Sequence, residues 1–361
     1  MKLTKFFAIL AAAAMFVGCG SPEEGNTSGG DDSNDITLSA KSVVEVNTPI
    51  EFVITNSEGV DITAESTIFD KTHDFAEVEN PFTPTADGDY TFYAVSGDFI
   101  SNDVKVVVTP TVPALPEDTD AGNTSFAHRV LLVDHTGTNC GYCPQMMKLL
   151  KTLEENEVYH SKYYEAMSHS YNTSDPSYSG PAAAISSHYN FNGYPTLTYN
   201  FYHTTTSSYG SIDHIMQQID ALWQEHADVG IAVATSLATS SVVVNAEIKA
   251  AVDGEYSATA WLLEDGIYGK QTNATEEWMN THNNAIRQAA TTTPISGYEL
   301  GTLAAGQKVE QIFNLNITRD AWNRDNMKVM VIVSKKNSKG KFDVANVVVC
   351  GINTTLTYEY N

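Results

Sequence analysis

Cysteine is scarce in this chain, with four residues in 361. So few cannot form a disulfide framework, and the cores must hold by apolar burial. Basic residues are also few: 20 lysines and arginines against 44 acids, a formal charge of −24. That balance argues against nucleic acid as a partner and against binding anionic lipid through protein charge. It favours solubility in an exposed setting. No apolar run reaches the ~20 residues a helix needs to cross a bilayer. The nearest approach, Phe6 to Val17, comes after Lys2 and Lys5 and has the length of a secretory signal.

The residues after that run are specific. Gly18 precedes Cys19, the pattern of a bacterial lipoprotein signal in which 1–18 are cut away and the Cys19 thiol carries the lipid. Phe16 departs from the leucine usual three residues before the cysteine, and an ordinary signal peptide is the other reading. The stretch 19–35 has no aromatic residue, no Lys or Arg, and five acids. It cannot bury enough surface to fold and reads as a disordered acidic tether. Acids close behind a lipidated cysteine resemble the surface-export signal of Bacteroidetes-type lipoproteins. The expectation is an outer-membrane lipoprotein of the cell envelope, displayed at the surface, with a periplasm-facing spacer as the alternative.

Beyond the tether the chain reads as multidomain, α/β plus all-β. Residues 36–109 alternate in short runs ("ITLSA", "VVEV", "IEFVITN", "DYTFYAVS", "DVKVVVT") separated by turn signals, which predicts an Ig-like β-sandwich. Tyr90, after the Asp87-Gly88 turn, resembles the tyrosine corner of such domains. Residues 110–124, rich in proline and acid, read as a stiff linker. In 125–227, "HRVLLVDHTG" reads as a buried strand. "CPQMMKLLKTLEEN" comes next at helical spacing, "PAAAISSHYNF" is a second helix, and "GYPTLTYNFY" is a strand opened by Pro195. "SIDHIMQQIDALWQEH" is an amphipathic helix with Ile212, Ile215, Ile219, Leu222 and Trp223 on one face. From 228 to 361 about seven apolar runs predict a C-terminal β-sandwich, with one long loop, Tyr268 to Pro294, holding a helix in "EEWMNTHNNAIRQAA".

Cys140 and Cys143 stand two residues apart between the first strand and the first helix of 125–227. Thiol–disulfide exchange needs one reactive thiolate and a second thiol in reach to resolve the mixed disulfide, and a helix N-terminus lowers a thiol's pKa. Cys140 is therefore the expected nucleophile and Cys143 the resolving thiol. A structural disulfide on a scaffold used for binding is the other reading. Zinc wants four ligands, and His135 and His169 have no second close pair, so no metal is expected, nor any organic cofactor. Cys350, at the end of "VVVC", reads as a small buried hydrophobe. His169, His188, His282 and Arg287 read as structural residues before anything else.

Strand, CxxC helix, helix, Pro-initiated strand, helix is the order of a thioredoxin-like α/β domain. A cis bond before Pro195 leaves the neighbouring backbone free to pair with an extended client, with Tyr142, Tyr194 and Pro195 as substrate-binding residues. Tyr163 and Tyr164 are further aromatic candidates for that groove. Gly141-Tyr142 between the cysteines looks like envelope oxidoreductases and isomerases more than reducing thioredoxins. Three features depart from the pattern: Asn139 where tryptophan is usual, Pro144 directly after the second cysteine, and a long gap to Pro195 filled by "HSYNTSDPSYSGP".

"HTGTNCGYCPQ", "GYPTL", "WLLEDGI" and "THNNAIR" together resemble the Bacteroidetes family related to the twenty-eight-kilodalton outer membrane protein. Its members are often lipoproteins or secreted surface proteins described as adhesins. The resemblance implies a thioredoxin-like core with a β-sandwich behind it. Two functions stay open: thiol–disulfide exchange on exported proteins or peptides, or adhesion to surface ligands with the dithiol as a staple. Membrane attachment in both is through the lipid on Cys19.

Overall fold

Alternating polarity opens the described chain. In Ile36–Ser39 (β1), Ile36 and Leu38 are buried while Thr37 and Ser39 are exposed, the period-two signature of a strand with one covered face. The computed structural model describes residues 36–41, 43–189, 191–201, 203–204, 210–291 and 294–361. The signal peptide, the tether and Cys19 lie outside the described residues.

The chain divides into two compact units, which separate the segment 36–109 between them. The first holds the described part of Met1–Ala40 together with Glu51–Asn80 and Thr91–Lys105; the second holds Lys41–Ile50, Pro81–Tyr90 and Val106–Asn361. The strands of this region after β1 are Val43–Glu45 (β2), Val53–Asn56 (β3), Thr67–Asp70 (β4), Ala76–Val78 (β5), Gly88–Ser96 (β6), Phe99–Ile100 (β7) and Val104–Thr109 (β8). Within the first unit, β1 runs antiparallel to β3, and β4 runs antiparallel to both β5 and β6. Phe52 meets Phe92 edge-on at 4.8 Å in its core. Within the second unit, β2 is parallel to β8, and the Tyr90 hydroxyl donates to the Ala86 carbonyl at 3.0 Å.

The remaining strands of the second unit are Val130–Thr136 (β9), Tyr163–His169 (β10), Thr196–Tyr199 (β11), His203–Thr204 (β12), Val229–Leu237 (β13), Ser241–Ala250 (β14), Gly254–Glu264 (β15), Ile267–Tyr268 (β16), Thr281–His282 (β17), Ala285–Ala289 (β18), Tyr298–Leu303 (β19), Lys308–Asn316 (β20), Met327–Lys336 (β21), Phe342–Gly351 (β22) and Thr355–Leu356 (β23). The helices are Cys143–Glu154 (α1), Gly180–His188 (α2) and Ile212–Leu222 (α3). β9 is buried at every residue because it is covered on both sides, which explains its continuous apolar run. Val130 and Leu132 meet Met146, Leu150 and Leu153 of α1 and Ile215 and Ile219 of α3. Leu131 and Val133 face the other way, toward Ala182 and Ile185 of α2 and Trp261.

A domain boundary at 227/228 does not appear. One nine-stranded sheet runs β12-β11-β9-β10-β18-β15-β21-β22, with β19 on β15. β18 joins the two halves: it pairs parallel with β10 at Met167 and Ala285, and antiparallel with β15. A second sheet, β20-β14-β13-β23, sets Ile231, Val244 and Ile248 against Tyr256, Leu262 and Val331 of the large one. The segment 110–124 is not a free spacer either. Its Asp118 meets Lys249 at 3.2 Å and Lys308 at 2.9 Å. Cys350 is buried on β22, as expected.

The helix expected in "EEWMNTHNNAIRQAA" is a correction. A single 3-10 turn, Glu277–Asn280, precedes β17 and β18. Asn284 is left-handed at φ 55°, which ends any right-handed helix, and β10 and β15 supply the backbone partners instead. Arg287 on β18 is buried. Its Nε donates to Glu264 at 2.6 Å and its Nη1 to the Pro176 carbonyl at 2.9 Å. Glu264 also accepts from the Asn323 amide at 2.8 Å. Breaking such a pair leaves a buried charge uncompensated. Arg287→Ala should lower the unfolding free energy by about 3–5 kcal/mol in urea titration. A double replacement, Arg287→Met with Glu264→Leu, should lose distinctly less; equal losses would show that the charge pairing is not what matters there.

Candidate functional site

β9 ends at Thr136, and a turn carries the chain to α1, whose first residue is Cys143 and whose N-cap is Tyr142. Cys140 thus lies outside the helix, in the turn, with its amide donating to the Gly137 carbonyl at 3.0 Å. Cys140 stands just before the helix mouth and Cys143 in the first turn. The two are joined as a disulfide. Cys140 is 3% exposed and Cys143 fully buried, while Tyr142 between them is 59% exposed.

Pro195 arrives at the same end of the sheet. The Tyr194–Pro195 bond is cis, and Thr196, the next residue, pairs with His135 near the end of β9. The Tyr194 ring meets Tyr171 at 5.2 Å and Phe191 at 5.3 Å. A Cβ on Gly137 would lie 2.7 Å from Cβ of Tyr171, so only glycine fits under that aromatic wall. Cys140, Cys143, Tyr142, Tyr194 and Pro195 therefore lie toward the same end of the sheet. Tyr163 and Tyr164 do not: they open β10 opposite Val130 and Leu131, at the far end of the sheet. His188 closes α2 against Tyr189, and His135 is buried between Ser186 and Thr198.

The turn is clamped by residues that no local sequence pattern connects to it. Asp175, in the segment that reads as an insert, accepts from the Thr138 amide at 2.7 Å and from His169 Nδ1 at 2.9 Å. Burial pushes its carboxyl up, but these bonds hold it at about 2. The His169 ring lies 4.8 Å from that of His282. Burial and the neighbouring His169 bring His282 down to about 4, so it is neutral at physiological pH. From the segment between β16 and β17, Gln271 Nε2 donates to the Cys140 carbonyl at 2.9 Å. Asn273 Nδ2 donates to the Gly141 carbonyl at 3.0 Å, and the Thr272 amide to the Thr138 carbonyl at 2.8 Å. A Cβ on Gly141 would stand 2.9 Å from Asn273 Nδ2. This explains glycine between the cysteines. These partners stand more than a hundred residues apart in the chain, beyond the range of any periodicity.

A second feature, invisible to periodicity, is Asp134. It sits in the apolar run of β9, on the face of Val130 and Leu132 that α1 covers. It is fully buried, and neither carboxyl oxygen has a hydrogen-bond partner among the described residues. Burial pushes its carboxyl far up, and Glu165 adds to the rise. Glu165, on β10, is raised to about 7 by burial and by Glu154. An unpaired acid in such a place stays protonated, because the charged form loses its hydration.

No curated protein matches this chain. Among solved structures, HBP35 of Porphyromonas gingivalis is similar with a TM-score of 0.53 and 15% identity, over 66% of this chain and 79% of that one; the likeness is one of fold. A protein of Corynebacterium diphtheriae described as membrane anchored aligns over 92% of this chain and 60% of its own, at 9% identity and a TM-score of 0.21, too slight to support an inference. A family match covers Pro195 and the 271–273 clamp but begins after the two cysteines. Residues 182–355 match the family described as Outer membrane protein Omp28, whose name points to the outer membrane or cell envelope.

Proposed function

We propose that this is a lipid-anchored cell-envelope protein, surface-displayed through Cys19, that exchanges thiols and disulfides with exported proteins or peptides through Cys140 and Cys143. Residues 125–227 act as its thioredoxin-like module and the Ig-like strands as a spacer. The placement of Cys140 carries this reading. It is the cysteine with residual exposure, in the turn that follows β9 at the end where the Pro195 strand begins, while Cys143, the first residue of α1, is fully buried. That asymmetry suits an attacked sulfur and a leaving one. An extended client lies along Tyr142, Tyr194 and Pro195.

In one direction a client thiolate attacks Sγ of Cys140, the S–S bond breaks, and Sγ of Cys143 leaves with the electron pair. The Cys143 thiolate then takes up a proton. A second client thiolate then attacks the mixed disulfide, forming the client disulfide and releasing Cys140. Two client thiols are oxidised and one protein disulfide is reduced. The reverse sequence reduces or reshuffles a client. No metal or organic cofactor enters this chemistry. A second reading, a surface binding or adhesion protein in which the disulfide only staples the helix start, is favoured by the slight exposure of Cys140 and by the clamp from Gln271 and Asn273.

Cys143→Ser should trap a disulfide-bearing client as a mixed disulfide on Cys140, the client's other sulfur leaving as a thiolate, seen on non-reducing gels, and Cys140→Ser should trap none. A Cys140→Ser variant that still reshuffles a scrambled substrate would overturn the assignment and leave the staple. A second outcome concerns Asp134. A carboxyl whose pKa rises on folding binds its proton more tightly in the folded chain. The associated stability is present below the ordinary value of 3.8 and is lost as pH climbs through the raised value. Asp134→Asn removes that loss, so its thermal midpoint should exceed the wild type's at pH 8 but not at pH 4, by ~2–4 °C for each kcal/mol regained. An equal difference at both pH values would show that Asp134 is not held neutral by the fold.

A further inference from the structure

We propose that the pocket on the α1 side of the dithiol turn takes an acidic side chain of the client, Glu or Asp, and that Lys148 selects it. This rests on the exchange reading above and names the class of client that reading leaves open. The pocket has a volume of about 280 Å³ and is lined by Gly141, Tyr142, Pro144, Gln145, Lys148 and Asn273. Its link to the dithiol is the chain itself. Gly141 and Tyr142 are the two residues between the cysteines, and Pro144 follows the second.

Sheet order sets the pocket and Pro195 on different sides of the turn. β11, which starts at Pro195's neighbour Thr196, lies on one side of β9, and β10 with β18 on the other. Asn273 belongs to the segment that leads into β17 and β18. A client that runs along Pro195 with its cysteine at Cys140 therefore carries its next residues over Tyr142 toward the pocket. Lys148 is the one charged residue in the pocket wall. It makes no ion pair among the described residues, whereas Lys151, three positions on, is bonded to Glu155 at 2.9 Å. Glu276, just past this wall, accepts from Trp278 Nε1 at 2.9 Å, and its charge bears on Lys151. In a chain of net charge −24, an uncommitted cation in a wall without acids is a local exception. Nor does the helix core need it: Met146, Met147 and Leu150 are buried while Gln145 and Lys148 are exposed. The rest of the wall suits a carboxylate on a short aliphatic stem. Tyr142 and Pro144 offer apolar surface to its methylene groups, and Gln145 offers amide donors. The bond from Asn273 Nδ2 to the Gly141 carbonyl holds the far wall in place. A basic client side chain would meet Lys148 as a like charge.

The test is the rate at which cysteine peptides open the Cys140–Cys143 disulfide in the folded full chain, read by quenched alkylation and mass at low salt. The peptides differ in one residue, Glu, Gln or Lys, placed in turn at each position near the cysteine on both sides. Rates are corrected for each peptide's thiolate fraction. In the wild type the Glu peptide should outrun its Gln counterpart about two- to fivefold at one position, and the Lys peptide should trail. The gap should close as salt is raised. Lys148→Gln should bring the Glu-to-Gln ratio near one, and Lys148→Glu should invert it. The same peptides meet every variant, so any effect of the carboxylate on the peptide's own thiol cancels in that comparison. A ratio that neither variant changes, or equal rates for all three peptides, would overturn the pocket and leave the exchange reading standing. A wild-type disulfide that no peptide opens without unfolding would sink the exchange reading, and the pocket's role with it.

Discussion

The pairing of β18 with β10 is the contact on which the site depends. It extends the β9–β10–β11 sheet into β15, β21 and β22, and so the residues between β16 and β17 emerge beside the turn that carries the cysteines. Without that pairing Gln271 and Asn273 would sit on a surface loop, and Gly141 would have no neighbour requiring its missing side chain. The buried Arg287–Glu264 pair, one strand position further on, ties β18 to β15 and to the loop that bears Asp175. The two anchorages of the turn, Asp175 from one side and the 271–273 segment from the other, therefore share one structural origin.

Beneath the turn the electrostatics run in two directions. Asp175 is buried but bonded, and its charge is stabilised. Asp134 is buried and Glu165 half-buried, and both carry buried carboxyl oxygens without partners among the described residues, so their neutral forms are favoured. The difference is one of hydrogen-bond supply, not of depth. A fold that needed only stability would fill the Asp134 position with leucine, as its neighbours are filled. An unpaired carboxyl there costs free energy above neutral pH.

Much of this is legible in the residues, and the rest is not, for a physical reason. Periodicity reports which sides of an element are covered, so β9, α1 and α3 are readable from apolar runs and helical spacing. The Pro195 strand is readable because proline restricts where it can stand. Periodicity carries no record of which strand lies next to which. The shared sheet, the clamp from Gln271 and Asn273, and the neighbourhood of Asp134 and Glu165 all come from pairings across long sequence separations. The short β4 and β5 escape because three or four residues give no period to read. The region after Tyr268 misleads in the other direction: "EEWMN" has helical composition, but Asn284 and the open edges of β10 and β15 decide for strand.

The clamp also sets what kind of dithiol this can be. Four hydrogen bonds bind the turn to the 271–273 segment. At a net contribution near 1 kcal/mol each, they hold the turn in place by about 4 kcal/mol. Under the exchange reading proposed above, such a clamp slows reaction with free small thiols, which replace none of these bonds, more than with a client strand whose own backbone can replace them; under the staple reading the same bonds hold the helix start in place.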